Sequence, residues 1–165
     1  MQRIPEQTAL RTRNATCLRE PLKGIAGLDT ATPSELVQDH PQYLTTLRYD
    51  SCEFSGLSRN DFLVAIRAEG IPMREVYPHP LYKNPMFKRS ALEKFGCRGW
   101  DSIPDYSALY LEQCELICED GLWLEHELFL GTEQDMDDIV AAIGKVQKNG
   151  SLLAGQHESD SVLRG

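Results

Sequence analysis

The sequence predicts an α/β chain of the α+β kind: a small antiparallel or mixed sheet with helices packed on one face. Three observations carry this. Apolar residues recur at helical spacing in stretches that open on Ser, Thr or Pro and close on Gly. Short runs rich in β-formers alternate with them. After the first helix the order reads strand, helix, strand, loop, helix, strand, helix, which one small sheet with helices on one side accommodates most simply. At 165 residues the chain suits one domain and can bury about two thirds of its unfolded surface, so neither metal nor disulfide staples are required.

Taken in order, residues 6–20 read as a helix with Leu10, Ala15 and Leu18 near one face, and Pro21 is expected to end or kink it. The Gly- and Thr-rich segment 24–40 reads as loop. Tyr43-Leu-Thr-Thr-Leu-Arg-Tyr49 is a strand, closed by Asp50-Ser51. Ser58 then caps a helix with Asp61 in the capping-box position, Leu57 and Phe62 as a hydrophobic staple, and Phe62, Leu63 and Ile66 as its buried face. Gly70 and Pro72 stop it.

Residues 73–77 read as a second short strand, and 88–102 as loop with a short helix near 91–95. Pro104 is placed to start a helix that runs to Glu119 and buries Tyr106, Leu109, Tyr110, Leu116 and Ile117. Gly121 closes that helix, and a strand over 122–130 follows. Thr132 caps the last helix with Asp135 at the third position; Met136, Ile139, Val140, Ile143 and Val146 line its buried side until Asn149-Gly150. Residues 151–165 carry too little apolar mass to bury and read as a disordered tail.

A formal charge of −8 and an isoelectric point near 5.0 speak against a nucleic-acid partner, because phosphate binding needs a clustered basic surface. No apolar run approaches the roughly 18 residues of a membrane span, and the first residues lack a signal-peptide core. No membrane partner and a cytoplasmic location are the expectation. Five scattered cysteines, Cys17, Cys52, Cys97, Cys114 and Cys118, fit free thiols in a reducing compartment.

Cys114 and Cys118 stand four apart on a predicted helix and would share a face, half of a metal site. No second Cys or His pair stands at ligand spacing, and His126 alone lies near, so no metal is expected and the thiols read as structural. Glu119-Asp120, with Glu125 and Glu127, reads as a helix end and an exposed strand face rather than as paired acid–base carboxylates. Trp100 and Trp123 read as core residues. No Gly-rich phosphate cradle and no Gly-x-Ser-x-Gly elbow is present.

The densest stretch is 69–87, where Pro78, Pro80 and Pro85 interleave with His79, Tyr77, Tyr82 and Phe87. A histidine held between two prolines can donate to a substrate oxygen or relay protons, and a tyrosine can donate to a phosphate or carbonyl. Spacing alone favours a stiff aromatic corner over a site.

Three blocks in order resemble the C-terminal part of the DegT/DnrJ/StrS family of pyridoxal-phosphate aminotransferases: Gly56-Leu-Ser-Arg-Asn-Asp-Phe-Leu-Val-Ala-Ile-Arg-Ala-Glu-Gly-Ile-Pro72, Tyr77-Pro-His-Pro-Leu-Tyr-Lys-Asn-Pro-Met-Phe87, and the block from Cys118-Glu-Asp-Gly-Leu-Trp-Leu-Glu to Asp-Asp-Ile-Val140. The resemblance covers about residues 10–147, and the blocks look most like antibiotic-pathway members that aminate cyclitols or make amino-hydroxybenzoate. Three departures stand beside it: a proline after His40 in His40-Pro-Gln-Tyr43, Leu124-Glu125 where the family continues Leu-Pro, and Pro21 within the helix that joins the family's two domains.

The resemblance implies the small domain of a fold-type I aminotransferase, with residues 1–25 a remnant of the interdomain helix, 26–150 the small domain and 151–165 the tail. The parent reaction would transfer an amino group from glutamate or glutamine to a keto-sugar, keto-cyclitol or related carbonyl in a homodimeric enzyme. The substrate contacts it suggests are Tyr77, His79 and Tyr82. The family's cofactor domain, with its Schiff-base lysine, matches nothing here, so Lys23, Lys83, Lys88, Lys94, Lys145 and Lys148 take no catalytic role. Pyridoxal phosphate is not expected to bind this chain alone, which would then be an inactive fragment. The alternatives are a non-catalytic binding module and one half of a split aminotransferase.

Overall fold

The computed structural model describes residues 3–31, 36–37, 40–94 and 105–155 of the chain. Residues Met1–Glu75 with Asp120–Gly165 form one compact unit, and Val76–Glu119 form a second.

In the first unit, helix α1 (Ile4–Leu22) carries Pro5 in its first turn, where a missing N–H costs nothing, and buries Asn14, Ala15, Leu18 and Leu22. It continues one residue past Pro21, because a proline so close to the end forfeits a single helical hydrogen bond. The segment 24–40, expected to be loop, contains strand β1 (Leu28–Thr30). Gly27 makes its entry possible: its φ is +82°, and a Cβ there would stand 2.5 Å from Cβ of Glu53. Strand β2 (Leu44–Tyr49) buries Thr45, Leu47 and Tyr49 on one face and exposes Arg48 on the other. Helix α2 (Arg59–Ala68) is capped as its sequence predicts, with Ser58 Oγ accepting from the Asp61 amide at 3.2 Å and Phe62, Leu63 and Ile66 buried. Gly70, at φ +90°, closes it.

The second expected strand shrinks to β3 (Arg74–Glu75). Strand β4 (Gly121–Glu125) stops five residues short of the predicted end. The apolar run beyond it folds as a 3₁₀ turn, Leu128–Leu130, which buries Phe129. That turn docks on α1, where the buried Asn14 amide donates to the carbonyls of Phe129 at 3.0 Å and Gly131 at 2.8 Å. Gly121, expected to close a helix, is instead the first strand residue, buried, its carbonyl accepting from Arg59 at 3.4 Å.

The sheet is antiparallel throughout, in the order β1-β2-β4-β3, with Leu28 opposite Tyr49, Leu47 opposite Leu122, and Arg74 opposite Trp123. Leu47, Tyr49, Leu122 and Leu124 pack into one core with the apolar faces of α1, α2 and the last helix, α5 (Glu133–Lys148). Trp123, expected in that core, alternates away from it and is half-buried, with the Arg74 guanidinium 5.8 Å from its ring centre. Around it the acidic cluster divides into ion pairs: Asp120 with Arg48 at 3.6 Å, and Glu125 with Arg74 at 2.7 Å.

Helix α5 opens with a full capping box between Thr132 and Asp135 and buries Met136, Ile139, Ala142, Ile143 and Val146. After Asn149 the chain turns helical again over 150–155, where a tail was expected from 151. Leu153 and Ala154 pack against the core, and Gly150 approaches so closely that a Cβ would stand 2.4 Å from the Phe54 carbonyl oxygen. Residues 156–165 of the expected tail lie outside the described residues.

In the second unit, the Pro-rich stretch forms two 3₁₀ turns, Leu81–Lys83 and Pro85–Phe87, followed by a short helix, α3 (Arg89–Lys94). Helix α4 (Glu112–Asp120) starts well after the expected position. Residues 105–111 are not helical, and Leu109 and Tyr110 are 39% and 67% exposed rather than buried. Pro104, Cys97 and Trp100 lie outside the described residues.

Candidate binding site

The 77–87 segment is braced by its own backbone. Pro80 and Leu81 accept from the amides of Lys83 and Asn84 at 2.9 and 3.0 Å, and the Asn84 side chain accepts from the Met86 amide at 3.0 Å. Prolines fix much of the remaining torsional freedom, so the side chains are held in place before any ligand arrives.

These turns and α4 border an open cavity of about 430 Å3, lined by Tyr77, His79, Leu81, Tyr82, Phe87 and Tyr106 from the loops and by Cys114, Ile117 and Cys118 from α4. The structure thus brings together all three residues singled out from the sequence. Their settings differ: Tyr77 is 69% exposed and His79 is exposed, whereas Tyr82 is half-buried. Phe87 and Tyr106 meet edge to face, with ring centres 6.3 Å apart.

Beside the cavity, Tyr82, which lines it, joins Lys83 and Glu115 in a polar cluster. The Tyr82 hydroxyl donates to Glu115 Oε1, and Lys83 Nζ donates to Glu115 Oε2 at 2.6 Å. The Leu111 amide donates to the Tyr82 oxygen at 3.2 Å. Lys83 first, then Tyr82, holds the Glu115 carboxyl below the usual carboxylate range. The same contact with Glu115 raises Lys83, while desolvation first and Glu115 second raise the Tyr82 phenol.

Cys114 and Cys118, expected to share a helix face, both face this cavity. Among the described residues, no group of three or more His, Cys, Asp or Glu side chains stands close enough to hold a metal ion. Sequence reasoning missed Glu115 altogether, and no local pattern marks it: its partners lie 32 and 33 residues away. The 114, 117, 118 spacing was the available signal for the helical wall.

The sequence model of the DegT/DnrJ/EryC1/StrS aminotransferase family matches residues 1–119. The chain belongs to this family. A relative from Streptoalloteichus tenebrarius, the L-glutamine:2-deoxy-scyllo-inosose aminotransferase, is 29% identical over 157 residues, covering 93% of this chain and 37% of that protein. The enzyme of the same name from Streptomyces paromomycinus is also 29% identical, over 92% of this chain and 36% of that protein. The chain thus spans little more than a third of the length of the curated relatives it matches.

Among solved structures, 3-amino-5-hydroxybenzoic acid synthase superposes with a TM-score of 0.66 at 21% identity, over 88% of this chain and 35% of that one. DesI, solved in the presence of its TDP-sugar product, superposes with a TM-score of 0.69 at 18% identity, over 95% of this chain and 35% of that one. Both likenesses establish the α+β fold with its small antiparallel sheet. No helix among the described residues is long and apolar enough to cross a membrane.

Proposed function

We propose that this chain is the small-domain part of an aminotransferase that moves an amino group from glutamine, or glutamate, to a keto-cyclitol or keto-sugar, with the cofactor-holding part outside this chain. The observation that carries the reading is the alignment of glutamine:2-deoxy-scyllo-inosose aminotransferases over more than nine-tenths of this chain but little more than a third of their own length. Tyr77, His79 and Tyr82 are its substrate-side contacts.

The residues present do not fit pyridoxal phosphate. A lysine that forms a Schiff base needs a lowered pKa in a desolvated pocket. All six lysines here are exposed; Lys23, Lys83 and Lys145 lie 2.7, 2.6 and 2.8 Å from glutamates, and Lys83 is raised rather than lowered. The isolated chain is therefore expected to be inactive.

Two measurements test this. Pyridoxal phosphate added to the chain should give no aldimine absorbance that borohydride traps on a lysine, and a trapped lysine found by peptide mapping would refute the assignment. Mixing the chain with a relative's cofactor-holding portion, truncated to remove its own small domain, should restore glutamine-dependent amination. Stable association without any amination would instead favour a non-catalytic module.

A further inference from the structure

Glu115 lies in the first turn of α4 with its side chain only 18% exposed, and each of its oxygens is engaged: Oε1 by the Tyr82 hydroxyl and Oε2 by Lys83 Nζ at 2.6 Å. Adjacent side chains in a 3₁₀ turn diverge by about a third of a revolution. Tyr82 and Lys83 therefore converge on one carboxylate only because it stands between them. The Tyr82 oxygen in turn accepts the Leu111 amide at 3.2 Å, just where α4 begins. In a capping box the side chain of the third helical residue accepts the amide that precedes the helix; Cys114 holds that place in α4, and the phenol oxygen from another part of the unit accepts the Leu111 amide instead.

We propose that Glu115 is a positioning residue of the cavity: it clamps the 77–87 loop to α4 and commits Tyr82 to present its ring, not its hydroxyl proton, to an occupant. A phenol has one proton to give. Here it goes to a carboxylate, the stronger acceptor, so donation to a carbonyl or hydroxyl of a ligand would break the clamp. Tyr82 thus serves as an aromatic wall, and hydrogen-bond donation to a substrate oxygen falls to other residues of the lining, His79 among them. The functional meaning rests on the cavity being the substrate side; the clamp itself does not.

The clamp is tested on the full chain without substrate, so its failure is separable from failure of the aminotransferase assignment, which the mixing experiment addresses. Cys118 is half-buried in the cavity wall and reports loop opening through residue-resolved alkylation. Glu115→Ala and Tyr82→Phe should each speed its alkylation, by roughly three- to tenfold. Glu115→Gln keeps an acceptor for the phenol and should stay nearer to wild type. A phenolate titration, with Tyr82→Phe subtracted to isolate Tyr82, should show its ionisation falling back toward the ordinary phenol range in Glu115→Gln. Wild-type alkylation rates in Glu115→Ala and Tyr82→Phe would overturn the proposal, and so would a Tyr82 titration indifferent to Glu115. Should Glu115→Ala fail to fold, the Glu115→Gln titration decides by the same criterion.

Discussion

Glu115 is a carboxylate between a cation and a phenol, so pH acts on the 77–87 loop from two directions. Its pKa is depressed, by Lys83 first and Tyr82 second, so its contribution is complete above the ordinary carboxylate pKa and is lost as pH falls through the lowered value. Lys83 is raised by the same contact; its contribution is complete below the ordinary lysine pKa and is lost as pH rises through the raised value. Tyr110 adds a weaker influence on Lys83. The Tyr82 ring resonances should therefore shift in a single acid transition below the ordinary carboxylate range, absent in Glu115→Gln. A transition at the ordinary carboxylate pKa would contradict the ion pair. None of this was legible in the sequence. His79 and the two tyrosines stood out because proline and aromatic residues crowd there, whereas Glu115 resembles any acidic residue in a first helical turn.

Local capping chemistry explains which elements could be read. Thr132 with Asp135, and Ser58 with Asp61, announce α5 and α2 because side chain and satisfied amide lie three residues apart. Thr132→Ala should cost about 1 kcal/mol of stability, seen as a lower denaturant midpoint with an unchanged slope; a change of slope would place the effect in the unfolded state instead. Helix α4 was misplaced because its N-terminal acceptor is Tyr82, 29 residues from Leu111. Strand β1 was missed because its three residues hold their conformation through pairing with Leu47, Arg48 and Tyr49 rather than through their own propensity. The apolar run 128–130 reads as strand, but the buried amide of Asn14 holds two of the nearby carbonyls and turns it.

Across the whole chain, apolar burial is unevenly distributed. The unit formed by Met1–Glu75 and Asp120–Gly165 holds fully buried Phe54, Phe62, Phe129, Ile66 and Leu122, among others. Among the described residues of Val76–Glu119, only Val76, Pro80 and Leu92 are buried apolar side chains, while Tyr77, Leu81, Met86 and Tyr110 are each more than 60% exposed. Few buried contacts mean inexpensive local opening. Amides of 77–94 and 105–119 should exchange with solvent fastest, and those of β2, α2 and α5 slowest, in native-state hydrogen exchange. Comparable protection in both regions would require contacts that the buried side chains do not provide.

Periodicity and caps, which depend on neighbours three or four residues apart, were enough to predict an α+β chain and the buried faces of α2 and α5, and the crowding of prolines and aromatic residues marked the loop at 77–87. The family resemblance came from the order of three sequence blocks. Tertiary structure alone decided where β1 and α4 begin, that 150–155 pack helically onto the core, and that Glu115 controls Tyr82. Each of these depends on a partner distant in sequence, and a hydrogen bond between such residues leaves no local pattern to read.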